Sequence, residues 1–478
     1  PDNTFIENTY TTELDGGSTV KKIITKQRDG TLVSDIYNVN GLIKNRQITH
    51  GASTAGTTYE NYVYDGLNRV TQMTDDDSNV AFTYDTLNRV KQETQQGKLV
   101  KYTYDKLNNL TSIQYPDNRI IERTFDAINR IKGITHGTNN IASYQYAGKG
   151  FRNMSKQFGN GDAITYLYDQ GKRLTNKEAK NSNNDLINKY IYAYNKVHMK
   201  TFEQRGHDNN KADIFNYDAL YRLKDITFNA DDPVNPTTFD KKKSVNFDKV
   251  DNILKLITNK GGETSEITTE VNNLNQYIQF DQWGLTHDQN GNTSQKGTQF
   301  FTYDYRNHMV SVSGEGTGVS YKYDVLGRRI EKSVGANLTK YFYAKNQVIE
   351  ERDNSDQVMK QYIYGNGIDE VLRVDRDESG TMVPYYYHTN DTGSVTAITD
   401  NTGNLTERYT YDLYGMPTIT DANDQVISQS SIGNDYLFHA RRYDKETNLY
   451  YYRARYYDPI MGRFLSTDPM GYQDSMNL

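Results

Sequence analysis

A tyrosine–aspartate phrase followed by a turn recurs from Tyr64 to Tyr411, at intervals of roughly 20–24 residues. Three clear copies lie side by side: Tyr62-Val63-Tyr64-Asp65-Gly66-Leu67-Asn68-Arg69-Val70, Phe82-Thr83-Tyr84-Asp85-Thr86-Leu87-Asn88-Arg89-Val90 and Tyr102-Thr103-Tyr104-Asp105-Lys106-Leu107-Asn108-Asn109-Leu110. Aromatics at alternating positions give the period of a strand with one buried face. Asp and Asn then bracket a tight connection, where short polar side chains bond local backbone and Asn tolerates the left-handed region. Arg and a β-branched residue restart the strand. The unit reads as a β-hairpin of roughly twenty residues. Weaker copies follow at Phe125-Asp126, Tyr168-Asp169 and Tyr217-Asp218, and the phrase sharpens again at Tyr303-Asp304, Tyr323-Asp324 and Tyr411-Asp412. Two longer intervals hold Asp231-Asp232-Pro233 and Gly261-Gly262-Glu263, which read as surface insertions because the period resumes on both sides.

A chain of 478 residues would ordinarily split into two or three domains, but a repeat array is exempt because each unit packs on its neighbours. Hydrophobic content is only 35%, and 41 tyrosines supply much of it. Two readings of those rings stand open. They line a wet interior where a solid core would use Leu, or they fill ordinary β-core positions. The net charge of −6 is interspersed with no basic stripe, so the repeats are not expected to bind nucleic acid. No apolar run reaches the ~20 residues of a membrane helix, and no signal peptide opens the chain. The first residue, Pro1, is not an initiator and reads as a boundary or a processed end. Cysteine is absent. The eight His make no metal-ligand spacing, Asp75-Asp76-Asp77 reads as a polar hairpin tip, and neither a metal nor a cofactor is expected.

The segment from Arg441 to Gly471 differs in kind. It runs Arg441-Arg442-Tyr443-Asp444, then Leu449-Tyr450-Tyr451-Tyr452-Arg453-Ala454-Arg455-Tyr456-Tyr457-Asp458-Pro459-Ile460-Met461-Gly462-Arg463-Phe464, then Asp468-Pro469-Met470-Gly471. Two Asp-Pro turns sit ten residues apart. This segment closely resembles the RHS-associated core, and the repeats resemble the YD repeats of bacterial Rhs proteins, of the C components of insecticidal Tc toxin complexes, and of teneurins. One departure is Asn448, where the family usually has Gly; Asn also accepts a positive φ. The resemblance implies an all-β fold in which a spiralling antiparallel sheet (residues 1–440) forms a hollow cocoon-like shell, with residues 441–478 as the core segment plugging inward. It further implies an enclosed C-terminal toxin domain, an upstream delivery or plug region, and delivery by a type VI secretion spike or a Tc-type pore component. Such a protein would be made in a bacterial cytoplasm and then secreted or delivered into a target cell. A homodimer joined at the shell openings is a further expectation.

Relatives of this kind cut themselves between shell and toxin. The resemblance places that junction at or just after Leu478. Asp458 and Asp468 are the candidate aspartic-protease-like pair, since two carboxylates held close share a proton and divide the roles of acid and base. Arg455 is the candidate for positioning a carboxylate or polarising the scissile carbonyl. Arg463, Asp474 and Asp444 are possible supporting groups. Asp before Pro is equally an ordinary turn opener, and Arg beside Tyr an ordinary stacked pair. The alternative function is a teneurin-like scaffold that binds glycans or proteins and cuts nothing.

Overall fold

The computed structural model describes residues 7–15, 18–314 and 316–469. Antiparallel hairpins follow one another in chain order and join into a 39-stranded sheet; a separate four-stranded sheet is built from Arg442–Asp444, Leu449–Tyr451, Tyr456–Asp458 and Arg463–Phe464. The one short helix among the described residues is the 3-10 turn Phe438–Ala440.

Each repeat is locked by a fixed set of bonds. The Asp65 carboxylate accepts from the backbone N–H of Leu67 and Arg69, at 2.9 and 3.0 Å, and its second oxygen takes Arg69 Nε at 2.7 Å. Asn68 sits at φ 62, which Asn adopts at low cost. The Arg69 guanidinium then lies 4.6 Å over the Tyr84 ring of the next repeat and donates to Asn88 Oδ1 at 2.8 Å. Asp85 and Arg89 repeat the arrangement toward Tyr104, and Asp324 and Arg328 toward Tyr343. Asp105 differs only in that Asn109 replaces the Arg, and Asp304 caps Arg306 and His308 in the same way. Asp412 departs further: its Oδ2 takes Lys243 at 2.6 Å.

The tyrosine hydroxyls are equally regular. Tyr64, Tyr84, Tyr104, Tyr303, Tyr323 and Tyr411 donate to the carbonyls of Ile43, Val70, Val90, Thr293, Met309 and Val395. Each ring lies on the sheet and its polar end is satisfied by backbone.

Residues far apart in sequence meet across the ribbon. Gln95 exchanges two hydrogen bonds with the Tyr343 backbone, Tyr115 donates to Tyr362 O, and Lys156 pairs with Glu370 at 2.5 Å. The larger apolar cluster mixes residues from Val100 to Ile187 with residues from Ile330 to Tyr450. A second one joins Val245–Tyr323 residues to Leu449, Tyr451, Tyr456, Met461 and Leu465 of the terminal segment.

These observations correct the expected cocoon. The 39-stranded sheet is open: among the described residues its first strand, Glu7–Asp15, pairs only with Ser18–Lys26, and its last, Val426–Ile427, only with Pro417–Asp421. Among the described residues no ladder returns from a late strand to an early one; the backbone pairing between them is the isolated parallel bridge Thr54 to Tyr303. The reason lies in the tyrosines. The hydroxyls of the six repeat tyrosines named above find acceptors within the sheet itself, so those rings need no water-filled interior. Tyr362, Tyr386, Tyr387 and Tyr409 are at most 2% exposed and pack in a solid core. The terminal segment docks on the ribbon as its own small sheet. The tip at Asp75–Asp77 is a hairpin turn capped by Asp75, whose carboxyl burial pushes up to about 7.

Candidate functional site

The terminal segment is tied to the ribbon by buried ion pairs. Arg329, 1% exposed, makes a bidentate pair with Asp444 at 2.5 and 3.2 Å and lies against the rings of Tyr321, Tyr341, Tyr451 and Tyr456. Lys332 reaches the same carboxylate at 3.2 Å. Burial pushes the Asp444 carboxyl up, but Arg329 and Lys332 outweigh it and hold the group below its usual range. Arg442 pairs with Glu351, and the Tyr450 hydroxyl donates to Gly415 O at 2.7 Å. Asn448 does hold the positive φ, 58, that its turn requires.

The strand Tyr456–Asp458 organises the candidate site. Asp458 ends it, 1% exposed, with Oδ2 on Lys296 Nζ at 2.6 Å. Its Oδ1 accepts from the backbone N–H of Ile460 and Met461, at 2.8 and 3.2 Å, and fixes the Asp-Pro turn. Lys296 in turn lies 5.1 Å over the ring of Trp283, the chain's one tryptophan. Arg455 precedes the strand. It reaches Asp468 Oδ2 at 2.8 Å, and its guanidinium lies 3.9 Å over the Phe464 ring. The fold thus brings Arg455 and Asp468 together, while Asp458 is held by a different cation at the other end of the strand.

Arg463 pairs across the small sheet with Asp458, but its guanidinium leaves toward the ribbon, to Asn275 O at 2.9 Å, Asn252 Oδ1 at 2.5 Å and the Tyr277 ring at 4.1 Å. Asp474 and Leu478 lie outside the described residues. A cavity of about 320 Å³ opens beside the chain that leads to Asp468, lined by Arg463, Phe464, Leu465, Ser466 and Thr467 and, from the ribbon, His287 and Asp288. Burial, aided by Arg463, pushes the His287 imidazole down to about 4. The same burial raises the Asp288 carboxyl.

Lys296 and Arg329 are the cationic partners that the sequence does not reveal. They stand 162 and 115 residues from their carboxylates, in strands that read only as repeat. Among the described residues no group of His, Asp and Glu is placed to hold a metal ion, and no helix is long and apolar enough to cross a membrane.

Residues 6–162 and 162–477 match the family model described as the teneurin YD-shell. Over 228 residues, 47% of this chain, the sequence is 36% identical to the tRNA3(Ser)-specific nuclease WapA of Bacillus spizizenii; the matched stretch is 9% of that protein. Over 214 residues, 38% of this chain, it is 24% identical to the double-stranded DNA deaminase toxin A of Burkholderia cenocepacia, covering 14% of that protein. The fold superposes on a chain of the Photorhabdus luminescens Tc holotoxin pore with a TM-score of 0.80, at 17% identity, over 98% of this chain and 26% of that one. The chain therefore spans a small part of each relative.

Proposed function

Because this chain belongs to the teneurin YD-shell family, within the Rhs/YD-repeat group that includes the Tc-toxin component, we propose that it is the carrier segment of a secreted toxin and releases a downstream toxic domain by cutting its own chain. Two relatives that match this chain are named for unlike chemistries, a tRNA nuclease and a DNA deaminase. A common carrier attached to different toxic domains accounts for that pairing. In this reading the open, tyrosine-braced ribbon is the wall against which the cargo is held, and a pore or spike component delivers it.

The observation that carries the self-cutting step is the Arg455–Asp468 contact at 2.8 Å, on a small sheet whose neighbouring turn is built on Asp458. In this reading Asp468 and Asp458 are the two carboxylates of a single hydrolysis, and Asp458, buried and paired with Lys296, must exchange that partner for the scissile segment to take part. A water oxygen adds to the scissile carbonyl carbon after giving a proton to one carboxylate. The C–N bond then breaks, and the other carboxyl delivers its proton to the leaving nitrogen. Arg455 orients Asp468. Lys296 and the two backbone N–H groups fix Asp458. The cavity beside Arg463–Thr467 offers the scissile segment a place next to Asp468.

The test is a chain that continues past Leu478, expressed whole and read on a denaturing gel. The wild type is expected to yield two fragments meeting near residue 478, and Asp458→Asn and Asp468→Asn a single uncut chain of native circular dichroism. Normal fragments from both variants would refute the assignment.

A further inference from the structure

A cavity of about 250 Å³ lies between the ribbon and the terminal segment. Its wall carries four arginines, Arg328, Arg441, Arg442 and Arg453, and one carboxylate, Asp369. Arg328 is neutralised by Asp324 and Glu93. Arg441 and Arg453 are not matched one for one. Asp369 alone serves both Arg441, on Oδ2, and Arg453, on Oδ1. Arg442 is 5% exposed and directs Nη2 to Glu351 and, at 3.5 Å, to Asp435, two carboxylates that Lys360 also shares. Its Nε and Nη1, together with Arg441 Nε, are buried without an acceptor.

Buried N–H groups of a guanidinium are costly to leave unpaired, and an arginine cannot shed its charge to escape that cost. Two guanidiniums on one carboxylate leave an excess positive charge on the cavity wall. The polypeptide here is also held in an unusual shape: Asp369, Ala440 and Arg453 all have positive φ, at 54, 55 and 66, although none is Gly or Asn. The buried rings of Tyr343, Tyr436 and Tyr451 complete the wall.

We propose that this cavity is a binding site for a small oxyanion, a carboxylate or a phosphate group, held by the free edges of Arg441, Arg442 and Arg453. Planar guanidinium forks match both groups, and Asp369 acts as an internal competitor that occupies part of the same donor set. The proposal stands apart from the self-cutting reading, since none of these residues touches Asp458 or Asp468 in it. Two sources supply such a group: free phosphate, or an acidic side chain of a bound peptide.

Isothermal titration of the intact protein at fixed ionic strength, with inorganic phosphate, with glutarate and with chloride as the background anion, separates them. Saturable binding of phosphate above chloride assigns free phosphate; saturable binding of glutarate assigns a peptide carboxylate. Arg441→Gln and, on a half-exposed side chain whose loss leaves the core intact, Arg453→Gln are each expected to weaken the bound probe about tenfold or more. Asp369→Asn, which removes the competitor, is expected to tighten it. No binding above chloride, or binding that both arginine variants leave unchanged, would overturn the proposal, as would an Asp369→Asn protein that binds no better than wild type while keeping its thermal midpoint.

Discussion

Removing Arg329 should undock the terminal sheet. The side chain is wholly buried, joined to Asp444 by two charged hydrogen bonds and surrounded by four tyrosine rings. Taking one partner from a buried pair strands the other, at a cost of about 3–5 kcal/mol. Arg329→Met leaves Asp444 with Lys332 at 3.2 Å, so its cost belongs near the lower end, about 3 kcal/mol. Asp444→Asn leaves Arg329 charged inside the ring box and belongs near the upper end, about 4 kcal/mol. The double variant strands neither charge, and its cost should stay close to that of one single variant, giving a coupling of about 3 kcal/mol. Trp283 reports the event, because Lys296, the partner of Asp458, lies over its ring. Urea titration followed by tryptophan emission, with hydrogen exchange over residues 442–464 to localise the loss, measures all four proteins. Single variants that add within about 0.5 kcal/mol would show that the pair does not act as the anchor.

The repeat itself gives further tests. Tyr84→Phe and Tyr104→Phe each remove one hydroxyl-to-carbonyl bond and should lower stability by about 1 kcal/mol in denaturant titration, with the fold intact by circular dichroism. Asn68→Gly should be close to neutral and Asn68→Ala should cost about 1 kcal/mol, because residue 68 needs a positive φ. Asp85→Ala should destabilise its repeat and loosen the next, since Arg89 loses the carboxylate that aims it at Tyr104. Stability should also fall in acid. Burial, with Arg408 nearby, pushes the His207 imidazole down to about 4, so the unfolded chain takes up the proton first. The contribution is complete above the ordinary value near 6.5, falls as pH drops toward 4 and levels below it, about 3 kcal/mol in all. A His207→Gln protein should show a shallower loss over that window in urea midpoints.

The hairpin unit was legible because its chemistry is local. Asp65, Leu67, Asn68 and Arg69 satisfy one another within five residues, so the turn and its positive φ follow from the letters. The same holds for the Asn448 turn. Closure was not legible. Whether a tyrosine ring faces water or packs in a core depends on what its hydroxyl meets, and the acceptors are carbonyls 10 to 21 residues away that any sequence would supply. In the terminal segment, the spaced Asp-Pro turns and the family resemblance singled out Arg455 and Asp468, and the fold places them in contact. Nothing in the sequence joins Lys296 to Asp458 or Arg329 to Asp444, because those contacts arise only when the small sheet lies against distant strands. Arg463 stands in the same motif as Asp458, yet its charge serves the ribbon at Asn252 and Asn275.

The self-cutting carrier is tested most directly by intact-mass spectrometry of a chain extended past Leu478, unfolded and refolded in water enriched in oxygen-18 over a wide range of protein concentrations. The account predicts one cut near residue 478, heavy oxygen in the new carboxylate, a rate independent of concentration, and an uncut chain for Asp458→Asn and for Asp468→Asn. A rate that climbs with concentration, or cutting that persists at the wild-type rate in both variants, would contradict it.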